Sequence, residues 1–210
     1  MTDEPDGPAM MTLTEAHERF GTILFVQLTQ PMRAWAIVGC YVGYFALLET
    51  TIARTLAQLL DLDSLAGAIV ARNMGMVEKI QAVRTIVNIG IHRVEEKARI
   101  DDLLKRAKKA AEERNIVAHV PFGESTVSNG VEFHTVDARG TFRSSVMDWS
   151  IAISNGKIDE LRAIDDALSS AQSKESLAAA MRAIKGSPRT LEDWLKELGL
   201  GAVAASNPTT

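Results

Sequence analysis

The sequence of 210 residues has a single cysteine and lacks two common signatures of catalytic sites. Cys40 alone cannot form a disulfide within the chain or a zinc site that needs several thiolates. Because it lies in an apolar run, we expect its side chain to be buried. There is no glycine-rich phosphate loop and no convincing Ser-His-Asp arrangement. The sequence therefore gives no support to a disulfide scaffold, a phosphate-loop enzyme or a serine hydrolase.

Charge and hydropathy limit the partners of the chain. The formal net charge of −4 argues against non-specific coating of nucleic acid, although it is compatible with a local basic cleft. The acidic start of the chain lacks the basic residues of a signal peptide. The uncharged run Ala34–Leu48 ends at Glu49 and is shorter than the roughly 20 residues of a membrane-spanning helix. We expect a buried core helix in a cytoplasmic protein without membrane contact; a membrane-associated helical protein is the alternative.

Apolar residues that recur every three or four positions predict a mostly α-helical fold. The predicted helices run from near Thr12 to the neighbourhood of Pro31, from Met32 to Leu60, from about Met76 to Ile91, from Val94 to Ala118, and through Ile158 and Leu168 from a start between Ser150 and Asn155. A β-hairpin is predicted at about 131–147, before the last long helix. We expect a main helical domain over 11–172, a helical extension over 173–200, and loose tails at 1–10 and 201–210.

Arg114 is conspicuous on the helix predicted over 94–118. On a helical wheel it projects into the apolar sector, next to Ala107, Ala110 and Ala118. A guanidinium in a packed seam is unfavourable unless it is paired or opens into a cleft. The alternative is that it extends past the small alanines into solvent.

Asn115 and His119 lie one turn apart near the end of the same helix. Their i, i+4 spacing lets them share a face and hydrogen-bond. Arg114 and His119 are separated by about 140° on an ideal helix, which hinders convergence on one ligand. Pro121 disfavours helical geometry at Val120. We therefore expect the last turn to unwind and to re-aim His119.

The segment RNIVAH, Arg114–His119, resembles the signature of the HEPN superfamily, an arginine followed after four to six residues by a histidine. The polar Asn115 after the arginine is also common in that superfamily. The segment ends a charged amphipathic helix, and a proline, a hairpin and another helix follow it. The resemblance covers about residues 30–170. It implies an up-and-down helical bundle that dimerises and brings two copies of the motif to one cleft.

The same resemblance implies a metal-independent endoribonuclease without a cofactor, acting on RNA in a toxin–antitoxin, stress or phage-defence system with an antitoxin or defence partner. His119 would be the general acid/base at the ribose 2′-hydroxyl or the leaving oxygen. Arg114 would bind the scissile phosphate, and Asn115 would orient the histidine or the phosphate. An imidazole with a pKa near ~6.5 and a guanidinium fork suit these roles. A non-catalytic HEPN-like dimerisation or RNA- or nucleotide-binding module is the alternative.

Glu49 is a candidate supporting residue of this site. It is the only acid between Met32 and Leu60, and a buried carboxylate needs a partner. Arg114 is one candidate partner and Arg54 is its rival. A contact between Glu49 and Arg114 is thus one of two candidate pairs, and it would make Glu49 a supporting residue of the motif.

Other polar clusters are weaker candidates. Lys105, Lys108 and Lys109 lie one to two turns before the motif, either as a solvated helix face or as phosphate contacts for RNA. No spacing of carboxylates or cysteines around the remaining histidines predicts a metal site, so we interpret these histidines as structural or exposed: His17, His92 and His134. The tryptophans are scattered, which favours core or interface positions over base stacking: Trp35, Trp149 and Trp194.

Overall fold

The computed structural model describes residues 25–60, 62, 64–90, 94–137 and 143–172. The helices are α1 (Gln30–Leu59), α2 (Ser64–Asn73), α3 (Met76–Gly90), α4 (Val94–His119) and α5 (Ile151–Gln172), preceded by a 3₁₀ turn at Phe25–Gln27. The strands are β1 (Phe122–Glu124), β2 (Val131–Asp137) and β3 (Arg143–Trp149), which form one antiparallel sheet in that order. The described residues are therefore mostly helical, with a small sheet before the last long helix, as the sequence predicts.

The chain divides into two compact units. The first consists of Met1–Leu48 and Glu112–Ala163, and it contains the sheet and the end of α4. The second consists of Glu49–Ala111 and Ile164–Thr210, and it contains α2 and α3. The segment RNIVAH therefore lies wholly within the first unit.

In the first unit, side chains from the start of α1 hold the loop that precedes β2. Gln30 Nε2 donates a hydrogen bond to the Ser125 carbonyl at 2.9 Å, and Arg33 Nη1 donates to the Asn129 carbonyl at 2.8 Å. Arg33 Nε also donates to the carbonyl of Phe25 in the 3₁₀ turn at 2.7 Å. Backbone carbonyls that would otherwise lack partners are satisfied in this way.

Aromatic rings form the core of the first unit. Tyr41 and Phe133 both pack edge-on against Trp149, with ring centroids 5.1 Å apart in each pair. All three residues are buried. Trp35 packs edge-on against Phe122 with ring centroids 4.7 Å apart, although 69% of its surface is exposed. The rings thus join α1 to the three strands of the sheet.

The predicted hairpin is confirmed as β2 and β3, with Phe133 paired to Met147 and Val131 to Trp149. Gly130 permits this pairing, because a Cβ at that position would lie 1.8 Å from the Trp149 carbonyl oxygen. The sequence does not predict β1, since three residues are too few to show an alternating pattern. β1 extends the hairpin through the pairing of Phe122 with Phe133.

In the second unit, α2 approaches the end of α1 closely. A Cβ on Gly67 would lie 2.8 Å from the Ala57 Cβ, so a larger residue would force the two helices apart. The Leu62 N–H donates to the Ala57 carbonyl at 3.0 Å and closes the end of α1. Apolar side chains at helical spacing are buried in this unit: Ile52, Leu56, Leu59, Ile80, Val83, Ile86, Val87, Ile100, Leu103 and Leu104.

Two local predictions are wrong within the described residues. The helix predicted up to Pro31 is replaced after residue 24 by a 3₁₀ turn, and α1 then begins at Gln30. The last turn of α4 does not unwind: the Val120 N–H still donates to the Ile116 carbonyl at 2.9 Å. The restriction that Pro121 imposes falls on Val120, which already lies outside the helix, so His119 keeps helical geometry.

The other boundary predictions have mixed outcomes. The predicted helices over 32–60, 76–91 and 94–118 match α1, α3 and α4 to within two residues, and α5 begins at Ile151. Cys40 is half-buried rather than buried, and its partial burial raises the pKa of the thiol. The start of the first predicted helix, the tails and the extension over 173–200 lie outside the described residues.

Among the described residues, α1 is long and apolar enough to cross a membrane. This is weak evidence for a span, because the core helix of a soluble protein passes the same test. A stripe of α1 at three- and four-residue spacing is buried in the protein: Ala34, Ile37, Tyr41, Phe45, Leu48, Ile52, Leu56 and Leu59. Such a stripe is typical of a core helix, while 33% of the most apolar window of α1 is buried in all.

Candidate active site

The three motif residues lie on the last two turns of an unbroken helix. Arg114 is half-buried, whereas Asn115 and His119 are exposed. Regular helical geometry places Asn115 and His119 about 40° apart around the axis and one turn apart along it. The predicted polar face of Asn115 and His119 is therefore present, and both side chains are open to solvent.

Arg114 contacts an aromatic ring and an amide rather than a carboxylate. Its guanidinium carbon lies 5.8 Å from the centroid of the Phe45 ring, within the range of a cation–π contact. Nη1 donates to Asn115 Oδ1 at 3.4 Å, a long hydrogen bond. Nε is buried and has no hydrogen-bond acceptor among the described residues. The guanidinium thus turns from the apolar sector toward the face that carries Asn115.

Glu113 immediately precedes Arg114, but its carboxylate is bound by other residues. Lys157 Nζ lies 2.6 Å from Oε1, and the Tyr41 hydroxyl donates to Oε2 at 3.3 Å. Lys157 also lies over the Trp149 ring, 4.9 Å from its centroid. Burial, and after it the Glu113 carboxylate, raise the pKa of Tyr41, so the phenol remains a neutral donor. Both oxygens of Glu113 are occupied, and Arg114 keeps its charge for another partner.

The sequence does not predict that Glu113 binds Lys157 and Tyr41. Tyr41 is 72 positions from Glu113 and Lys157 is 44 positions from it. No local spacing links residues that are so far apart. The one available signal was that Glu113 adjoins the motif.

His119 is free to meet a substrate. It is the last residue of α4, and its side chain makes no hydrogen bond or ion pair within the described part of the chain. An exposed imidazole that no other group holds can take up or release a proton at a bound ligand.

Glu49 has its own partner in the second unit. Its Oε1 lies 2.7 Å from Nζ of Lys79, whose side chain is only 6% exposed. The Glu49 side chain is 34% exposed, so its carboxylate is only half-buried; the need of a buried carboxylate for a counter-charge is the reason for the candidate contact with Arg114. Lys79 meets that need, so the reason no longer supports a role for Glu49 at the motif.

The lysines of the basic cluster differ in their environment. Lys105 Nζ lies 2.8 Å from Asp101 Oδ2, which in turn lies beside Arg84. The hydrogen bond from Lys105 lowers the pKa of Asp101. Desolvation opposes this effect, and the charge of Arg84 adds to it. Lys108 and Lys109 are exposed and form no ion pair within the described residues. Their contact with RNA phosphates stays a prediction.

Comparison of the chain with protein-family models, with curated proteins and with solved structures finds no match. Within the residues that the structure describes, no group of three or more histidine, cysteine, aspartate or glutamate side chains could hold a metal ion.

Proposed function

We propose that the protein is a HEPN-type endoribonuclease that cleaves RNA by attack of the 2′-hydroxyl on the adjacent phosphate. One observation carries the proposal. On an unbroken helix the Arg114 guanidinium reaches Asn115, and Asn115 shares an exposed face with His119. A phosphate-binding cation, an orienting amide and a proton-transfer group thus follow one another around the end of α4.

Each residue type suits one part of the reaction. His119 removes the proton from the 2′-hydroxyl, which attacks phosphorus. The bond between phosphorus and the 5′-oxygen breaks, and the products are a 2′,3′-cyclic phosphate and a 5′-hydroxyl end, whose oxygen takes up a proton. Arg114 binds the phosphate oxygens with its fork of donors and stabilises their developing charge. Asn115 holds the guanidinium or the imidazole in place. The nucleophile belongs to the RNA, so the proposed chemistry needs no metal or cofactor.

The proposed enzyme acts as a homodimer with a composite site. Arg114 and His119 leave the helix about 140° apart, and the helix does not unwind to reduce that angle. A second copy of α4 can bring an imidazole from one chain toward a guanidinium of the other. The proposal includes a cytoplasmic location and a role in toxin–antitoxin, stress or phage-defence systems, with an antitoxin or defence partner.

The test compares cleavage by wild type, His119→Ala and Arg114→Ala in the absence of added metal. We expect each substitution to lower kcat/KM at least ~10²-fold, since each removes a group that acts on the transition state. Glu112→Ala is the matched control, because Glu112 is exposed on the same helix and outside the motif. Full activity of His119→Ala would refute the assignment. Products with 2′,3′-cyclic phosphate ends would support it.

The second candidate is a non-catalytic binding or dimerisation module. The contact between Arg114 and Phe45 and the buried Nε favour it, because both are compatible with a purely structural arginine. The two candidates differ in what Arg114→Ala does. A structural arginine predicts a lower free energy of unfolding and no RNA cleavage by the wild type. The ribonuclease predicts cleavage that is lost while the fold is retained.

A further inference from the structure

A second histidine lies beside the end of the motif helix in the same chain. The His134 N–H donates to the Pro121 carbonyl at 2.9 Å, which continues the β1–β2 pairing one residue beyond Phe122 and Phe133. Pro121 is two residues after His119. Chain geometry and antiparallel pairing limit the Cα separation of the two histidines to about 13 Å. Two histidine side chains with one phosphodiester between them can span that distance.

The imidazole of His134 lies near the carboxylate of Glu132. Its Nε2 lies 4.0 Å from Glu132 Oε2, and the two residues share one face of β2. The imidazole side chain is 48% exposed, whereas the carboxylate side chain is 5% exposed. Glu132 is therefore enclosed by protein and His134 faces solvent. The carboxylate is thus close enough to the imidazole to influence its orientation.

The other oxygen of Glu132 is held by the loop before β2. Oε1 accepts a hydrogen bond from the Thr126 N–H. Hydrogen bonding by Thr126, through its side chain and then its backbone, lowers the pKa of Glu132, and His134 adds to the effect. Asp148 lies opposite Glu132 in the sheet, but its Oδ1 accepts hydrogen bonds from Ser125 and Ser128. Glu132 is thus the anion that faces His134.

We propose that His134 is the general acid of the same site and that Glu132 is its positioning residue. The inference depends on the ribonuclease function proposed above. His119 takes the proton of the 2′-hydroxyl as the bond between O2′ and phosphorus forms. His134 gives its proton to O5′ as the bond between phosphorus and O5′ breaks. Nothing is oxidised or reduced, and one chain then supplies both a base and an acid.

The test separates the two proton transfers with two substrates. An RNA oligonucleotide that spans a cleavage site mapped in total RNA is prepared with oxygen or with sulfur at the 5′ leaving position. A thiolate leaves without a proton, because a thiol pKa of about 8.5 is far below that of an alcohol. We expect His134→Ala to slow cleavage of the oxygen substrate about 10²- to 10⁴-fold and to leave the sulfur substrate almost unaffected. His119→Ala should slow both.

Val146→Ala is the matched control for His134. Val146 lies opposite His134 in the sheet and is 55% exposed, so its truncation changes the same surface without removing a proton donor. Glu132→Gln is the second variant; it should slow only the oxygen substrate, and by less than His134→Ala does. Equal slowing of both substrates by His134→Ala, or slowing of neither, would overturn the proposal. A wild type that cleaves neither substrate overturns the ribonuclease assignment as well.

Discussion

Two acids in the second unit are each held by a basic side chain, whereas the arginine of the motif at the end of α4 in the first unit lacks such a partner among the described residues. Glu49 binds Lys79 at 2.7 Å, and Asp101 lies 2.7 Å from Arg84. Within the described residues Arg114 has no carboxylate at salt-bridge distance. Charges that neutralise one another mark a structural role, while an arginine stacked on a ring and turned toward an exposed amide can receive an anion.

The partner of a charged side chain could not be predicted from its position in the sequence, in either unit. Glu49 has the properties expected of a residue that supports a buried arginine. Its partner is nevertheless a lysine 30 positions away on α3. The Glu113 carboxylate, which adjoins the motif, is bound by Lys157 and Tyr41. Glu49, a candidate partner of Arg114, and Glu113, which adjoins Arg114, thus both bind other residues.

The largest expected effect on stability comes from breaking the pair of the second unit. Glu49→Gln leaves the ammonium of Lys79, whose side chain is 6% exposed, without its counter-charge. Because 34% of the Glu49 side chain is exposed, solvent screens part of the attraction, and we expect a loss of about 2 kcal/mol in the free energy of unfolding, measured by urea denaturation. The double variant Glu49→Gln/Lys79→Met should recover most of that loss, since it removes the buried charge as well. A loss below ~0.5 kcal/mol in the single variant would show that Lys79 does not need Glu49.

The pair beside the motif should be weaker. The Glu113 and Lys157 side chains are 22% and 25% exposed, so solvent screens their attraction. Glu113→Gln removes the charge but keeps polar atoms for Tyr41. We expect it to lower the free energy of unfolding by about 1 kcal/mol. Glu112→Gln is the control, and as an exposed neighbour it should change the same quantity by less than ~0.5 kcal/mol. Equal effects of the two substitutions would contradict the ion pair.

Most of the helical fold could be predicted because its signal is local and long. α1, α3 and α4 repeat apolar residues over many turns, so their predicted bounds are wrong by only one or two residues. β1 could not be predicted, because its stability comes from pairing with β2 rather than from its own three residues. The predicted unwinding before Pro121 is wrong. The proline restricts the backbone of Val120, and Val120 already lies outside α4.

The exposure of the residues of the candidate site could be predicted, for the same reason. The motif residues lie within six positions, and helical periodicity correctly separates exposed Asn115 and His119 from half-buried Arg114. The surroundings of the motif depend on long-range pairing. His134 comes near the end of α4 only because its N–H binds the Pro121 carbonyl across two strands. No periodicity in the sequence carries that information.

Asp165 in the second unit is a buried charge without a full set of partners. It is 5% exposed, and Oδ1 has no hydrogen-bond partner among the described residues. Desolvation raises the pKa of this carboxyl, and Asp166 adds to the rise, while the Thr51 hydroxyl and Arg54 oppose it. The folded protein therefore binds the Asp165 proton more tightly than the unfolded chain does. Ionisation of Asp165 then destabilises the fold as the pH rises above the unfolded pKa of about 3.9.

Asp165→Asn should consequently stabilise the protein, in contrast to the two glutamate substitutions. The amide keeps the shape of the side chain without the buried charge, so we expect a gain of roughly 1 kcal/mol in the free energy of unfolding at pH 7. The gain should shrink as the pH falls toward 4, because the wild-type carboxyl is then protonated in the folded state. Urea denaturation at several pH values measures this dependence. A gain that is independent of pH would mean that the charge of Asp165 is not its cause, and a loss at pH 7 would mean that Arg54 and Thr51 outweigh burial.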